Sequence, residues 1–136
     1  MPYEPTNREA IAQVSLPDET RYQTFIDLVV QHNEIWAFGQ GIALGMLDRG
    51  EEQPAICPLW PARIFVQAWH SERSKEFGPF LTQSFTLGKA FDQIFPYLRD
   101  AGWNVGVFFD PDSYGVIVPV DRLEADLRAA LDARVR

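Results

Sequence analysis

A chain of 136 residues with 46% hydrophobic and 23% charged residues has the composition of one globular domain, long enough to bury a core without a disulfide or a structural metal. Its net charge of −7 and pI near 4.7 speak against the basic stripe that nucleic acid or an anionic membrane surface requires. A single cysteine excludes an internal disulfide framework and any Cys-rich zinc pattern, no apolar run is long enough to span a bilayer, and "MPYEPTNREA" is not a signal segment, so the expectation is one cytoplasmic domain over residues 1–136.

In chain order, Thr6 with Glu9 forms a capping-box pattern, so residues 1–17 are expected to be an N-terminal helical arm. After Pro17, Asp18 is placed to cap a second helix, in which Tyr22, Phe25, Ile26, Val29 and Val30 recur at the spacing of one buried stripe. "IWAFGQGIALGML" reads as a β-hairpin turning at Gln40-Gly41, and "AICPLW" as a third strand of an antiparallel meander, ended by Pro58. Pro61 opens a helix with Ala62, Phe65, Ala68 and Trp69 on one face. "FLTQSFTL" is a strand with Leu81, Phe85 and Leu87 inward. "GKAFDQIFPYLRDAG" is a helix carrying Phe91, Ile94, Phe95 and Leu98, kinked by Pro96 and stopped by Gly102. A hairpin across "DPDS" and a helix capped by Asp121 and Glu124, burying Leu123, Leu127 and Leu131 or Ala130, complete the chain. The order ααβββαβαββα implies a two-layer α+β domain with a mainly antiparallel sheet.

Few residues offer chemistry. The glycines of "GQGIALG" do not fit G-x-G-x-x-G and lie between strands, so tight turns explain them. Asp110, Asp112, Gly115 and Asp121 imitate a calcium loop, but Tyr114 and the following strand spoil it. Cys57 as a nucleophile needs a nearby base. His70 lies too far along its helix, which leaves only His32, and a buried inert thiol is the commoner case. No pair of histidines with carboxylates has metal-ligand spacing, and Glu51-Glu52 and Glu124-Asp126 read as solvated faces, so no metal, cofactor or catalytic residue is assigned.

The tryptophans are the remaining signal. Trp69 and Trp103 fall where a helix and a strand bury residues, whereas Trp36 and Trp60 stand at element boundaries. As buried anchors they are structural. As a pocket wall with Arg63, in the first turn of the helix after Pro61, they form an anion-friendly binding site.

Arg21, Tyr22 and Phe25 as "RY..F", Trp36, Pro58-Leu59-Trp60-Pro61 and Gly115-Val116 together resemble a small bacterial family known only as a domain of unknown function. Ile42, where an aromatic is more familiar, and Cys57 before the motif depart from that pattern. The resemblance implies an α+β fold and a bacterial cytoplasmic setting, and no activity. The expectation is a non-enzymatic binding module using Trp36, Trp60 and Arg63, for a protein partner, a small ligand or a second copy of itself. The alternatives are a small enzyme built on Cys57 with His32 or on a carboxylate pair, and an acidic immunity-like protein that masks a basic toxin.

Overall fold

The computed structural model describes residues 16–40, 43–47, 50–71, 82–110 and 115–135. Residues 1–15 of the expected N-terminal arm, residues 41–42 and 48–49 where turns are expected, Leu81 with the loop before it, and residues 111–114 lie outside them. Helix α1 (Asp18–His32) buries the expected stripe together with Arg21. Pro17, rather than Asp18, holds the cap position, and its carbonyl accepts from the Arg21 amide at 2.8 Å. Asn33 ends the helix in the left-handed region, φ 54°, where its short amide side chain is tolerated; its Oδ1 accepts from the Leu87 amide at 2.9 Å. One residue therefore stops α1 and anchors the start of a later helix.

Strands β1 (Ile35–Gln40) and β2 (Ala43–Leu44) form the expected hairpin, with Gln40 opposite Ala43. β4 (Thr82–Phe85) pairs antiparallel on the other side of β1, giving the order β2-β1-β4. β3 (Ile56–Leu59) corrects the meander: it lies parallel to β5 (Asn104–Val107), which pairs antiparallel with β6 (Val116–Pro119), so the second sheet runs β3-β5-β6.

The reason is Pro58, which sits inside β3 and does not end it. Ile56 exchanges both backbone bonds with Leu47, and Trp60 exchanges both with Trp36 at 2.8 Å each, so these residues present their amides to the β1 edge. By strand alternation Pro58 faces the same edge, and it has no N–H to give. Pairing with β1 and with the segment after β2 is reduced to those two isolated bridges. The opposite edge, where the carbonyls of Ala55 and Leu59 accept from Asn104 and Phe108 at 2.9 Å, is free to pair with β5.

Helix α2 (Arg63–Ser71) begins two residues after Pro61 and buries Phe65, Val66 and Trp69; Ala68, expected inward, is exposed. Helix α3 (Leu87–Lys89) runs through a π-helical turn (Ala90–Ile94) into α4 (Phe95–Ala101). Pro96 is the expected disruption, and the wide turn before it, closed by the Phe95 amide on the Ala90 carbonyl, accommodates the missing donor. Ala90, Ile94, Phe95 and Leu98 are buried and Phe91 only partly, while Gly102 ends the run with φ 76°. Helix α5 (Val120–Val135) buries Leu123 and Leu127, with Ala130 and Leu131 packed at the margin. The class is α+β, as the pattern implied.

Phe109 folds back over β5 and β6, and two glycines make room for its ring. A Cβ on Gly106 would stand 2.5 Å from the ring, and one on Gly115 would stand 2.4 Å from it and 2.8 Å from the Val107 carbonyl. Gly115→Ala is expected to destabilise by about 1–3 kcal/mol through overpacking. Gly88→Ala, whose new methyl meets nothing nearer than 3.9 Å on a helix, should be neutral or stabilising. Thermal denaturation of the two variants checks this.

Candidate functional site

Trp60 ends the β3 run, and its surroundings answer whether its indole faces the core or a ligand. It is 0% exposed, its Nε1–H donates to the Phe109 carbonyl at 2.8 Å, and its ring lies 5.4 Å from that of Trp69. Phe108 adopts φ 57°, unusual for a bulky residue, with its own ring buried edge-on against Phe65 at 4.6 Å. That backbone reversal costs about 1–2 kcal/mol and brings the next carbonyl onto the Trp60 indole. Trp60 is thus a core anchor beneath the expected site and offers no surface of its own.

Trp36 and Arg63 do meet. Trp36 is 6% exposed, and the Arg63 guanidinium lies over its ring at 4.9 Å. The geometry follows from the chain: the Trp36–Trp60 bridge holds β1 beside the end of β3, and α2 starts with Arg63 only three residues later. Arg63 is exposed and, like Lys89 and Arg134, has no carboxylate partner among the described residues, whereas Arg21, Arg99, Arg122 and Arg128 each have one; of the three, Arg63 is the one seated on an indole. The Nε1–H of Trp36 and Oε2 of Glu34 are buried without hydrogen-bond partners. The first turn of α2 contains no acid, and "WPA" before it supplies no capping oxygen. An electropositive spot on an acidic protein results.

A second polar cluster escaped the sequence reading. Arg21, 3% exposed, lies 3.4 Å from Asp18 and 3.9 Å from Asp110, tying α1 to the segment after β5. Beside it the Tyr22 hydroxyl donates to Asp126 at 2.5 Å, and Arg122 covers the Tyr22 ring at 5.1 Å while pairing with Asp126 at 3.7 Å. Burial first, and then the Asp126 carboxylate, push the Tyr22 phenol well above its usual value. Glu124 and Asp126, expected to be simple solvated faces, are in fact bonded. Glu124 is held by Arg99 and Arg128 at 2.9 Å each, and although burial pushes its carboxyl up, those guanidinium bonds outweigh it and hold it low. Asp121 also receives Arg99, at 2.7 Å, so it and Asp110 each face a guanidinium where the calcium pattern would need a cation. No sequence signal separates Arg21 from a solvated helix position, because its stripe neighbours are defined by apolar spacing alone.

Cys57 is fully buried in β3, and burial pushes its thiol up to about 12. No group of three or more metal-type ligands occurs among the described residues, and no described helix is long and apolar enough to cross a membrane. The fold and site define a small α+β domain with a sealed aromatic core and a surface guanidinium. Residues 22–127 match the model of the family described as protein of unknown function DUF2750, and the chain belongs to that family. No curated protein and no solved structure matches it.

Two outcomes follow. Tyr22→Phe should cost about 1 kcal/mol for the lost hydrogen bond. The folded-state phenol stays protonated above its unfolded pKa near 10, so the wild type holds this stability below pH 10 and loses it as the pH rises further. The variant should show a flatter decline in denaturant midpoint above about pH 10, measured by urea unfolding across that range. At pH 8, a thiol reagent should label Cys57 quickly in denaturant, and in native buffer only at the rate of unfolding.

Proposed function

We propose that this protein is a non-enzymatic binding module whose contact surface centres on Arg63 and the underlying Trp36. The observation that carries it is a guanidinium without a carboxylate partner, in a chain of net charge −7, seated on an indole whose N–H has no acceptor. An acidic protein ordinarily has carboxylates enough to neutralise its cations. A cation stacked on an aromatic face with its N–H fork directed to solvent is a recognition arrangement. A thiol enzyme finds no support, since a cysteine with a thiol pKa near 12 is almost entirely protonated at neutral pH. The setting we propose is a bacterial cytoplasm, in line with the sealed single cysteine and the motif resemblance.

Arg63→Glu reverses the charge at an exposed position, so the fold should survive with a change within about 0.5 kcal/mol. Affinity capture with the tagged full chain, followed by mass spectrometry, should recover a stoichiometric partner with the wild type and lose it with Arg63→Glu. Recovery of the same proteins by both would remove this surface from the reading. Light scattering of the purified chain identifies whether the partner is a second copy.

A further inference from the structure

Strand β6 ends the order β3-β5-β6, and its outer edge is open. The Asn104 and Phe108 amides of β5 donate toward β3, so by alternation Val105 and Val107 turn to β6, where they stand opposite Val118 and Val116. Ile117 therefore directs its N–H and C=O away from β5, and Pro119 directs its C=O alone. Among the described residues the large apolar side chains left exposed are Ile117, at 42%, and Tyr97, at 40%. They are the two ends of one strip. Ile117 and Pro119 lie on the same side of β6, Pro119 and Trp103 line one hollow of about 190 Å³, and Trp103 meets the Tyr97 ring edge-on at 5.8 Å.

We propose that this edge pairs with the same edge of a second copy of the chain, β6 against β6, antiparallel about a two-fold axis at Ile117. Charge argues for a copy at this place. A chain of net charge −7 repels itself over most of its surface, yet residues 115–120 carry no charge, and the carboxylates flanking them are already matched: Asp110 by Arg21 at 3.9 Å and Asp121 by Arg99 at 2.7 Å. Edge strands that avoid pairing commonly carry a charge such as Lys; this one carries an exposed isoleucine. Register argues for the axis. A two-fold at Ile117 sets that residue opposite itself, so each N–H meets the other copy's C=O and the two side chains stack on one face. A two-fold at Val118 would instead set Ile117 against Pro119, whose missing N–H leaves the Ile117 carbonyl unanswered. With the axis at Ile117, Pro119 falls at the margin and limits the ladder without interrupting it.

The paired segment is short, so association is weak and depends on concentration. Sedimentation equilibrium of the full chain from about 10 μM to about 1 mM should show the mass rising from the 15.5 kDa of one chain towards twice that. Ile117→Lys changes an exposed side chain, so its thermal midpoint should hold while its self-association weakens by about tenfold or more. Ile117→Cys should form a covalent dimer on mild oxidation, because hydrogen-bonded antiparallel partners stand about 5.5 Å apart at Cα, within reach of a disulfide, while the native Cys57 is buried. Gly88→Cys, on exposed α3, should not. Arg63→Glu should leave the mass curve unchanged, which separates this edge from the surface proposed above. A mass of one chain at every concentration, a dimer that Ile117→Lys leaves intact, or a dimer that Arg63→Glu dissolves overturns the proposal.

Discussion

The Trp36–Trp60 backbone bridge is the contact on which the architecture turns. Its two hydrogen bonds, 2.8 Å each, join a sheet built on β1 to a sheet built on β5, and with the Leu47–Ile56 bridge they are the described pairings between the two. Each bond is worth only about 0.5–1.5 kcal/mol net. The strength of the joint comes from the side chain it places: the Trp60 indole, sealed from water and bonded to the Phe109 carbonyl, contacts Trp69, which stacks on Phe38 of β1 at 5.2 Å. Burying one such indole removes about 150–250 Å² from water, an upper bound of about 4–6 kcal/mol. The tryptophans are therefore a seam, and Pro58 shapes it by withholding the donor that would have extended β3 along β1.

The same seam creates the surface feature. Because α2 starts three residues after Trp60, Arg63 has little freedom in where it emerges, and it emerges over Trp36. Other described cations are held differently. Arg21 is buried against Asp18 and Asp110, and Arg99, Arg122 and Arg128 are each matched by carboxylates of α5. Of these, Arg99 ties α4 to α5 and Arg21 ties α1 to the segment after β5, while Arg63 reaches only the Trp36 ring.

Much of the fold was legible in the sequence because its helices carry their stripes openly. Apolar spacing located α1, α2 and α5, Gly102 marked a stop, and the Gln40–Ala43 hairpin followed from its turn glycine. The failures share one cause. The meander was wrong because the edge to which Pro58 points depends on register, which a lone prolyl residue does not announce. Ala68 and Val66 exchanged places because a small residue at the margin of a stripe has no strong preference. Asp126 read as a solvated face because its bonded partner, the Tyr22 hydroxyl, lies 104 residues away, and the burial of Arg21 against Asp110 likewise depends on a segment distant in the chain.

The sequence by itself determined the class of this protein: an acidic chain with an α+β fold, its helical faces, its "PLWP" joint and the boundary positions of Trp36, Trp60 and Arg63. Local rules of spacing, proline geometry and capping act over a few residues, and they were sufficient for that. Only the tertiary structure decided that Trp60 turns inward while Arg63 lies on Trp36, that β3 runs parallel to β5, and that Cys57 is sealed. Those outcomes depend on which strand edge and which indole face are left unoccupied after distant segments pack, and long-range packing writes no periodicity into the chain.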